Sequence, residues 1–158
     1  MSSQIRRALP GILLVISMLT GMKLPLTGQS MLTIGNGTSA SFHAPVYISW
    51  VGSSYRYSNH ISLIGKSEIN FSGIIESIGW HKSNNPGYSA GNASLSIYLK
   101  HTNDSVVPTS SGTFTSQVAG AQQVYASTTQ NINTFPGWQT FPLDTPFHYN
   151  GTDNLMVL

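Results

Sequence analysis

The chain has 158 residues, of which 40% are hydrophobic and only 8% are charged, and it contains no cysteine. This length suits one domain with at most a short extension, and the charged fraction lies well below the usual ~25%. High hydrophobic content and low net charge do not match intrinsic disorder. The lack of cysteine excludes disulfide bonds, thiolate metal sites and a cysteine nucleophile.

The positive charge of the chain is concentrated at its N-terminus. The formal net charge is +2, and Arg6, Arg7 and Lys23 lie within the first 30 residues. From residue 31 onwards, lysine and arginine together number four and the acidic residues number five, which gives a net charge of −1. Because phosphate binding needs clustered positive side chains, we expect no nucleic-acid partner.

The first 30 residues, MSSQIRRALPGILLVISMLTGMKLPLTGQS, have the order of a secretory signal peptide. Arg6 and Arg7 form a positive n-region, and residues 11–19 form an apolar h-region that is too short to cross a bilayer as a helix. We therefore predict a signal peptide at 1–30 and a mature domain at 31–158. The membrane would then be a partner only during export.

The cleavage site has two alternatives in this segment. Gly28 and Ser30 stand at the −3 and −1 positions if cleavage precedes Met31, and cleavage directly after Gly28 is the other option. An uncleaved membrane anchor is the competing interpretation. It is disfavoured because Lys23 and Pro25 end the apolar run early.

In the mature part, turn-forming residues are spaced as in an all-β protein. Turn residues recur about every 8–12 residues, as in a sandwich or barrel. In "SLSIYLKH", Leu95, Ile97 and Leu99 alternate with more polar residues, which predicts a half-buried strand. A single helical turn is the alternative in "LIGKSEIN". Ile74, Ile75 and Ile78 of "SGIIESIGWHK" also fit a helical turn, but the run between its glycines is too short for a helix, so a strand is preferred there. The predicted strands are 32–34, 55–63, 73–81, 94–101, 122–127, 129–133, 138–143 and 154–158.

The last predicted strands lie in GWQTFPLDTPFHYNGTDNLMVL. Strand 138–143 places Trp138, Thr140 and Pro142 on one face, and Thr145-Pro146 is predicted to turn the chain. We interpret "TPFHYNGTDNLMVL" as scaffold and not as a binding site.

An Asn-Gly dipeptide follows near the chain end. Asn150-Gly151 is a strong hairpin signal, so a return strand is predicted from Leu155. The sequence stops inside this predicted strand, so the domain is predicted to be truncated at its C-terminal end. We expect Leu158 to leave an unpaired edge that lowers stability and favours association.

No catalytic constellation is recognisable. None of the five histidines shows metal-binding spacing, but His81 and His101 both end predicted strands, so a zinc site between them is an alternative to solvent-facing histidines. Glu76 is the one candidate acid for glycoside hydrolysis, and an outward strand position is its alternative role. We predict that the chain is not an enzyme.

Two loops, "HTNDS" and "NGTDN", group asparagine and aspartate. Such oxygen-rich loops can coordinate Ca²⁺, and ordinary Asx turns are the alternative explanation. Calcium is therefore the single cofactor that we keep as an alternative to none.

Carbohydrate contact is predicted in "ISWVGSSYRYS". Its aromatic side chains, Trp50, Tyr55 and Tyr57, are the candidate ligand-binding residues because exposed rings provide stacking platforms. Tyr55 and Tyr57 share a face if the segment is extended. Burial of these rings in the core is the competing interpretation.

The order of segments resembles a known family. "TIGNGTS", "SEINFSGIIESIGW", "ASLSIYLKHT", "QQVYAS" and "GWQTFPLDTPFHYNGTDNLMV" follow one another as in the β-sandwich accessory domain of secreted bacterial surface proteins associated with type IX secretion sorting domains. The likeness runs from Thr33 to the chain end. It implies a jelly-roll-like antiparallel β-sandwich beside adhesion, protease or glycan-degrading modules, with no catalytic residues.

The chain departs from that family in two respects. Members normally continue beyond "NLMV" with at least one further strand, and they often carry a sorting domain, which the printed sequence lacks. In such secretors "NDSV" also implies a glycan on Ser105.

These observations favour a non-catalytic, secreted or outer-membrane-associated cell-surface module for adhesion or for binding a glycan or protein substrate. We expect it to be part of a longer protein, with other domains of that chain as partners. The alternatives are a structural spacer domain and a fragment of a secreted glycan-degrading hydrolase.

Overall fold

The computed structural model describes residues 30–35, 59–82, 91–108, 114–132 and 136–158. The chain divides into two compact units, Met1–Leu32 and Thr33–Leu158. All the strands and helices of the described residues belong to the second unit. Within these ranges, no helix has the length and apolar character needed to cross a membrane.

The described residues form two antiparallel sheets. A four-stranded sheet has the order β1-β6-β3-β4, and a two-stranded sheet pairs β2 with β5. This confirms the predicted all-β sandwich class. The strands are β1 (Ser62–Ile64), β2 (Gly73–Lys82), β3 (Gly91–Thr102), β4 (Gln122–Ile132), β5 (Gly137–Tyr149) and β6 (Asn154–Val157), and the helices are α1 (Lys66–Ile69) and α2 (Phe114–Val118).

The hydrophobic core lies between the two sheets. Ile97 and Leu99 of β3 are 1% and 0% exposed, and they pack with Phe141 and Tyr149 of β5. The alternation predicted for "SLSIYLKH" is therefore confirmed, with Leu95 partly buried against the same core. Each fully buried side chain of this size contributes roughly 1.5–3 kcal/mol to folding.

Helix α1 is the single helical turn that "LIGKSEIN" left open. The carboxylate of Glu68 accepts a hydrogen bond from the Gly65 N–H at 3.0 Å, which closes the start of the turn. Asn70 ends it in a left-handed conformation, φ 51°, and donates its N–H to the Lys66 carbonyl at 2.8 Å. Ile69 is buried and anchors the turn to the core.

Several predicted strand bounds were wrong. Residues 32–34 are not a strand, and within the predicted strand 55–63 the described residues 59–61 are not in a strand, since β1 begins at Ser62. The segments 122–127 and 129–133 form the single strand β4 (Gln122–Ile132). In β5 the predicted Thr145-Pro146 turn is instead part of a continuous strand.

The Thr-Pro segment of β5 is an irregularity in the pairing with β2. Ile75 pairs with Phe147 and Ser77 with Pro142, so residues 143–146 stand opposite a single residue of β2. Proline has no N–H to donate to a neighbouring strand, and residues 143–146 are instead bound to β4 by hydrogen bonds. The Ala126 N–H donates to Asp144 Oδ2 at 2.9 Å, and Gln122 Nε2 donates to the Pro146 carbonyl at 3.3 Å.

The Asn150-Gly151 connection does not form the predicted hairpin. Strand β5 pairs with β2, whereas β6 pairs with β1 and β3, so the loop carries the chain from one sheet to the other. The turn signal is local, and it does not specify which strand the returning chain will join. Burial decides this, because Leu155 and Val157 reach the core from the four-stranded sheet.

The predicted unpaired edge at Leu158 is also wrong. Strand β6 lies inside its sheet, and Leu158 exchanges two backbone hydrogen bonds with Tyr98, each 2.9 Å long. Met156 is fully buried on the face opposite the core residues. Its cross-strand partner Lys100 donates Nζ to the Gln117 carbonyl of α2 at 2.6 Å, so α2 lies over that face.

Candidate functional site

The aromatic residues predicted to bind ligand, Trp50, Tyr55 and Tyr57, lie outside the described residues. Their arrangement stays a prediction. The described part of the chain nevertheless exposes another tryptophan, on the outer face of the two-stranded sheet.

Trp138 stands near the start of β5 with 49% of its surface exposed. The faces of this strand alternate as predicted, with Trp138, Thr140 and Pro142 exposed and Phe141 buried at 5% exposure. The more polar Gln139 points to the inner side and the large indole points to water. Among the exposed large hydrophobic side chains of the described residues, Trp138 and Phe71 are the aromatic ones, and an exposed aromatic ring can provide a stacking surface for a ligand.

The neighbours of Trp138 on this face are known from the pairing of β2 with β5. His81 is its cross-strand partner, and the two rings meet edge to face with centroids 5.4 Å apart and planes at 77°. The next pair on this face is Gly79 and Thr140, and a Cβ at Gly79 would lie 3.2 Å from the Gln139 carbonyl oxygen and 3.3 Å from Thr140 Oγ1. The Thr140 side chain therefore packs closely over Gly79, beside the indole.

We call this surface the Trp138 strip, made of Ser77, Gly79 and His81 on β2 and Trp138, Thr140 and Pro142 on β5. These six residues include no Asp, Glu, Lys or Arg. The strip offers one aromatic ring together with hydroxyl and imidazole groups, which can form hydrogen bonds. This chemistry suits a neutral ligand that has a flat apolar face and several hydroxyl groups.

Glu76, the candidate acid for glycoside hydrolysis, is exposed where the β2 pairing is irregular. A catalytic acid of that kind normally sits in an apolar pocket. Its position agrees with the outward strand role that the sequence offered as the alternative.

The two loops considered for calcium meet at one end of the sandwich. The side-chain amide of Asn154 donates to the Asp104 carbonyl at 2.8 Å, and the Asn150 N–H donates to His101 Nε2 at 3.2 Å. Asn150 Oδ1 accepts the N–H groups of Thr152 and Asp153 at 2.9 and 3.1 Å. This is the Asx-turn pattern that the sequence offered as the alternative to a metal.

The histidines proposed for zinc do not approach each other. His81 contacts Trp138 at the start of β5, whereas His101 stacks on Tyr149 and packs on Phe147 at its other end. Within the ranges that the structure describes, no group of three His, Cys, Asp or Glu side chains is placed to hold a metal ion. The zinc alternative is therefore wrong for His81 and His101.

Two titratable groups near these loops and sheets have perturbed pKa values. Burial raises the pKa of Tyr149 above its ordinary value of 10.0, and the Asp153 carboxylate raises it further. The Tyr149 hydroxyl donates to the Asp153 carbonyl at 2.5 Å. Burial lowers the pKa of His60 below 6.5, and its Nε2 lies 2.9 Å from Ser62 Oγ.

A second surface feature lies between α1 and the loop that joins β5 to β6. It is an open depression of about 450 Å³. We call it the Lys66 depression, and its lining residues are Lys66, Ser67, Asn70, Phe71, Ser72, Asn150 and Gly151. No signal in the sequence pointed to it, because its two halves, residues 66–72 and 150–151, are far apart along the chain.

Comparison with protein families, with curated proteins and with solved structures finds no match to this chain. The class of the protein is therefore defined by its structure alone. The protein is an antiparallel β-sandwich that presents the Trp138 strip on its two-stranded sheet.

Proposed function

We propose that the chain is a non-catalytic accessory module, secreted or held at the cell surface, that binds an extracellular glycan on the Trp138 strip. The observation that carries this proposal is the half-exposed indole of Trp138 on an outer strand face whose six residues include no Asp, Glu, Lys or Arg. Its place in a longer protein, its jelly-roll-like topology and its kinship with type IX-associated accessory domains belong to the same proposal. They are supported by the sequence motifs alone.

Sugar chemistry matches this surface. Pyranose rings present a flat face of C–H groups that packs on an aromatic ring, and their hydroxyl groups bond to polar neighbours. Tryptophan supplies a large, rigid contact area and one N–H donor. Next to it, His81 and Thr140 supply hydrogen-bonding groups.

The structural spacer and the hydrolase fragment are the competing functions. A structural spacer does not use an exposed aromatic ring, whereas a glycan-binding module can use one as a stacking surface. A hydrolase acting through Glu76 needs an enclosed carboxyl group, and Glu76 is exposed. Both observations support the binding module over its rivals.

The test is a screen of the full chain on a glycan array and on a panel of extracellular-matrix proteins. Trp138→Ala removes the ring, and Trp138→Phe restores part of it. Ile74→Ala is the matched control, because Ile74 is 61% exposed on the same strand pair but pairs with His148 near the other end of β2. Circular dichroism verifies that each variant is folded.

We expect binding to one class of neutral glycan. Trp138→Ala should weaken it by at least about tenfold, as for a central aromatic contact, and Trp138→Phe should recover part of the loss. Ile74→Ala should bind like the unmodified chain. Failure of the folded chain to bind any glycan, or binding that Trp138→Ala leaves intact, would overturn the proposal, and binding to a matrix protein alone would favour protein adhesion.

A further inference from the structure

The Lys66 depression is a surface formed by two distant segments in close contact. Gly151 has φ +76°, and a Cβ there would lie 2.9 Å from Ser72 Cβ and 3.1 Å from the Phe71 carbonyl oxygen. The Lys66 N–H donates to Asn154 Oδ1 at 2.9 Å, which ties α1 to the start of β6. The two walls are therefore held together by close packing at Gly151 and by a backbone-to-side-chain hydrogen bond.

The loop residues that line the depression, Asn150 and Gly151, are ordered by hydrogen bonds within the protein. Asn150 uses its side-chain carbonyl for two backbone N–H groups, its amide for Asp153 Oδ2 at 2.7 Å, and its own N–H for His101. Tyr149, which precedes it, is fully buried and donates to the Asp153 carbonyl. A site that is ordered in advance loses less conformational entropy on binding.

Lys66 is the charged residue among the seven described residues that line the depression, and none of the seven carries a carboxylate. Two carboxylates lie beside the lining: Glu68 Oε2 accepts the Gly65 N–H, and Asp153 Oδ2 accepts the side-chain amide of Asn150. Within the lining, Lys66 is therefore the group that can pair with an anionic group of a ligand.

An aromatic ring stands beside that cation. Phe71 is 42% exposed, and its ring meets the buried Tyr149 ring edge to face, with centroids 6.3 Å apart. It projects outward because Asn70, in its left-handed conformation, ends α1 and redirects the chain. Ser67, Asn70 and Ser72 add hydroxyl and amide groups to the rim.

We infer that the Lys66 depression is a second binding site, and that its ligand is a carboxylated sugar of the hexuronic acid class. Phe71 would contact the sugar ring, Lys66 the carboxylate, and the polar rim the hydroxyl groups. The volume of about 450 Å³ lies within the range of small-molecule sites, roughly 300–1,000 Å³. The inference does not depend on the Trp138 strip, which carries no cation.

The test compares two probes with the same sugar backbone by isothermal titration with the full chain. One is trigalacturonic acid, and the other is its methyl ester, which lacks the negative charges. Lys66→Gln removes the cation, and Phe71→Ala removes the ring. Lys82→Gln makes the same change of charge on β2, and Trp138→Ala removes the strip's ring.

We expect the acid to bind about fivefold more tightly than the ester, the size of a favourable exposed charge contact. Lys66→Gln should abolish this preference, and Phe71→Ala should weaken both probes, while Lys82→Gln and Trp138→Ala leave both unchanged. Equal binding of the two probes, no effect of Lys66→Gln, or no binding at millimolar concentration would overturn the inference. Loss with Trp138→Ala alone would assign the sugar to the strip instead.

Discussion

Substitution of Gly151 by alanine tests how tightly the two sheets are joined by the loop between β5 and β6. Gly151 has φ +76°, a conformation that costs an L-residue about 1–2 kcal/mol. The new Cβ would also lie 2.9 Å from Ser72 Cβ and 3.1 Å from the Phe71 carbonyl oxygen. Relief of such contacts by a shift of the backbone costs typically about 1–3 kcal/mol.

The two contributions give an expected loss of about 2–5 kcal/mol in the free energy of unfolding, a large part of the roughly 5–15 kcal/mol of a typical domain. Gly120→Ala is the matched control. Gly120 has nearly the same φ, +75°, but a Cβ added there would meet no atom within 4 Å. It should therefore show the conformational cost alone, about 1–2 kcal/mol.

The assay is urea unfolding of the full chain and both variants, followed by tryptophan fluorescence at one temperature. The midpoint should fall further for Gly151→Ala than for Gly120→Ala, with similar slopes. Any gain from a less flexible unfolded chain applies equally to both glycines and cancels in the comparison. Equal losses for the two variants would refute the close contact of the loop with residues 71–72.

Three further outcomes are expected. Burial lowers the pKa of His60 in the folded state, so the unfolded chain binds the proton first as the pH falls. The free energy of unfolding should therefore decrease as the pH drops through 6.5. His60→Gln should make this pH dependence weaker in unfolding curves measured at several pH values. The pKa of Tyr149 is raised in the folded state, so the free energy of unfolding should decrease as the pH rises above 10. Tyr149→Phe should remove this pH dependence. At neutral pH the same variant should lose about 1 kcal/mol of stability, because the hydrogen bond to the Asp153 carbonyl is lost. Leu99→Ala should cost about 2–5 kcal/mol because the side chain is fully buried, whereas Ile74→Ala, at 61% exposure, should stay within about 0.5 kcal/mol by thermal or urea unfolding.

Local patterns in the sequence predicted local structure well. The alternation of Leu95, Ile97 and Leu99 indicated the inward face of β3, and the spacing of Trp138 and Thr140 indicated their common face on β5. These predictions succeed because the period of a strand is a property of the chain itself. The sequence did not reveal which face of β5 is exposed, since that depends on the sheet packed against it.

Long-range pairing was the part that sequence could not supply. Asn150-Gly151 is a strong turn signal, but the same turn can join strands of one sheet or of two, and here it joins two. Pro146 suggested a turn, yet hydrogen bonds from β4 hold the segment within a longer strand. The Lys66 depression depends on a contact between residues about eighty positions apart, which no local pattern encodes.

The most direct test of the binding proposal is nuclear magnetic resonance of the three tryptophan indole N–H groups during titration with a glycan found on the array. Trp→Phe variants assign the signals. Trp138 is half exposed, whereas Trp80 packs against the core and meets Phe141 edge to face with ring centroids 5.7 Å apart. We expect the Trp138 signal to shift and to reach saturation as the glycan concentration rises, while the Trp80 signal keeps its position. A shift of the Trp50 signal alone, or no indole shift at saturating glycan, would contradict it.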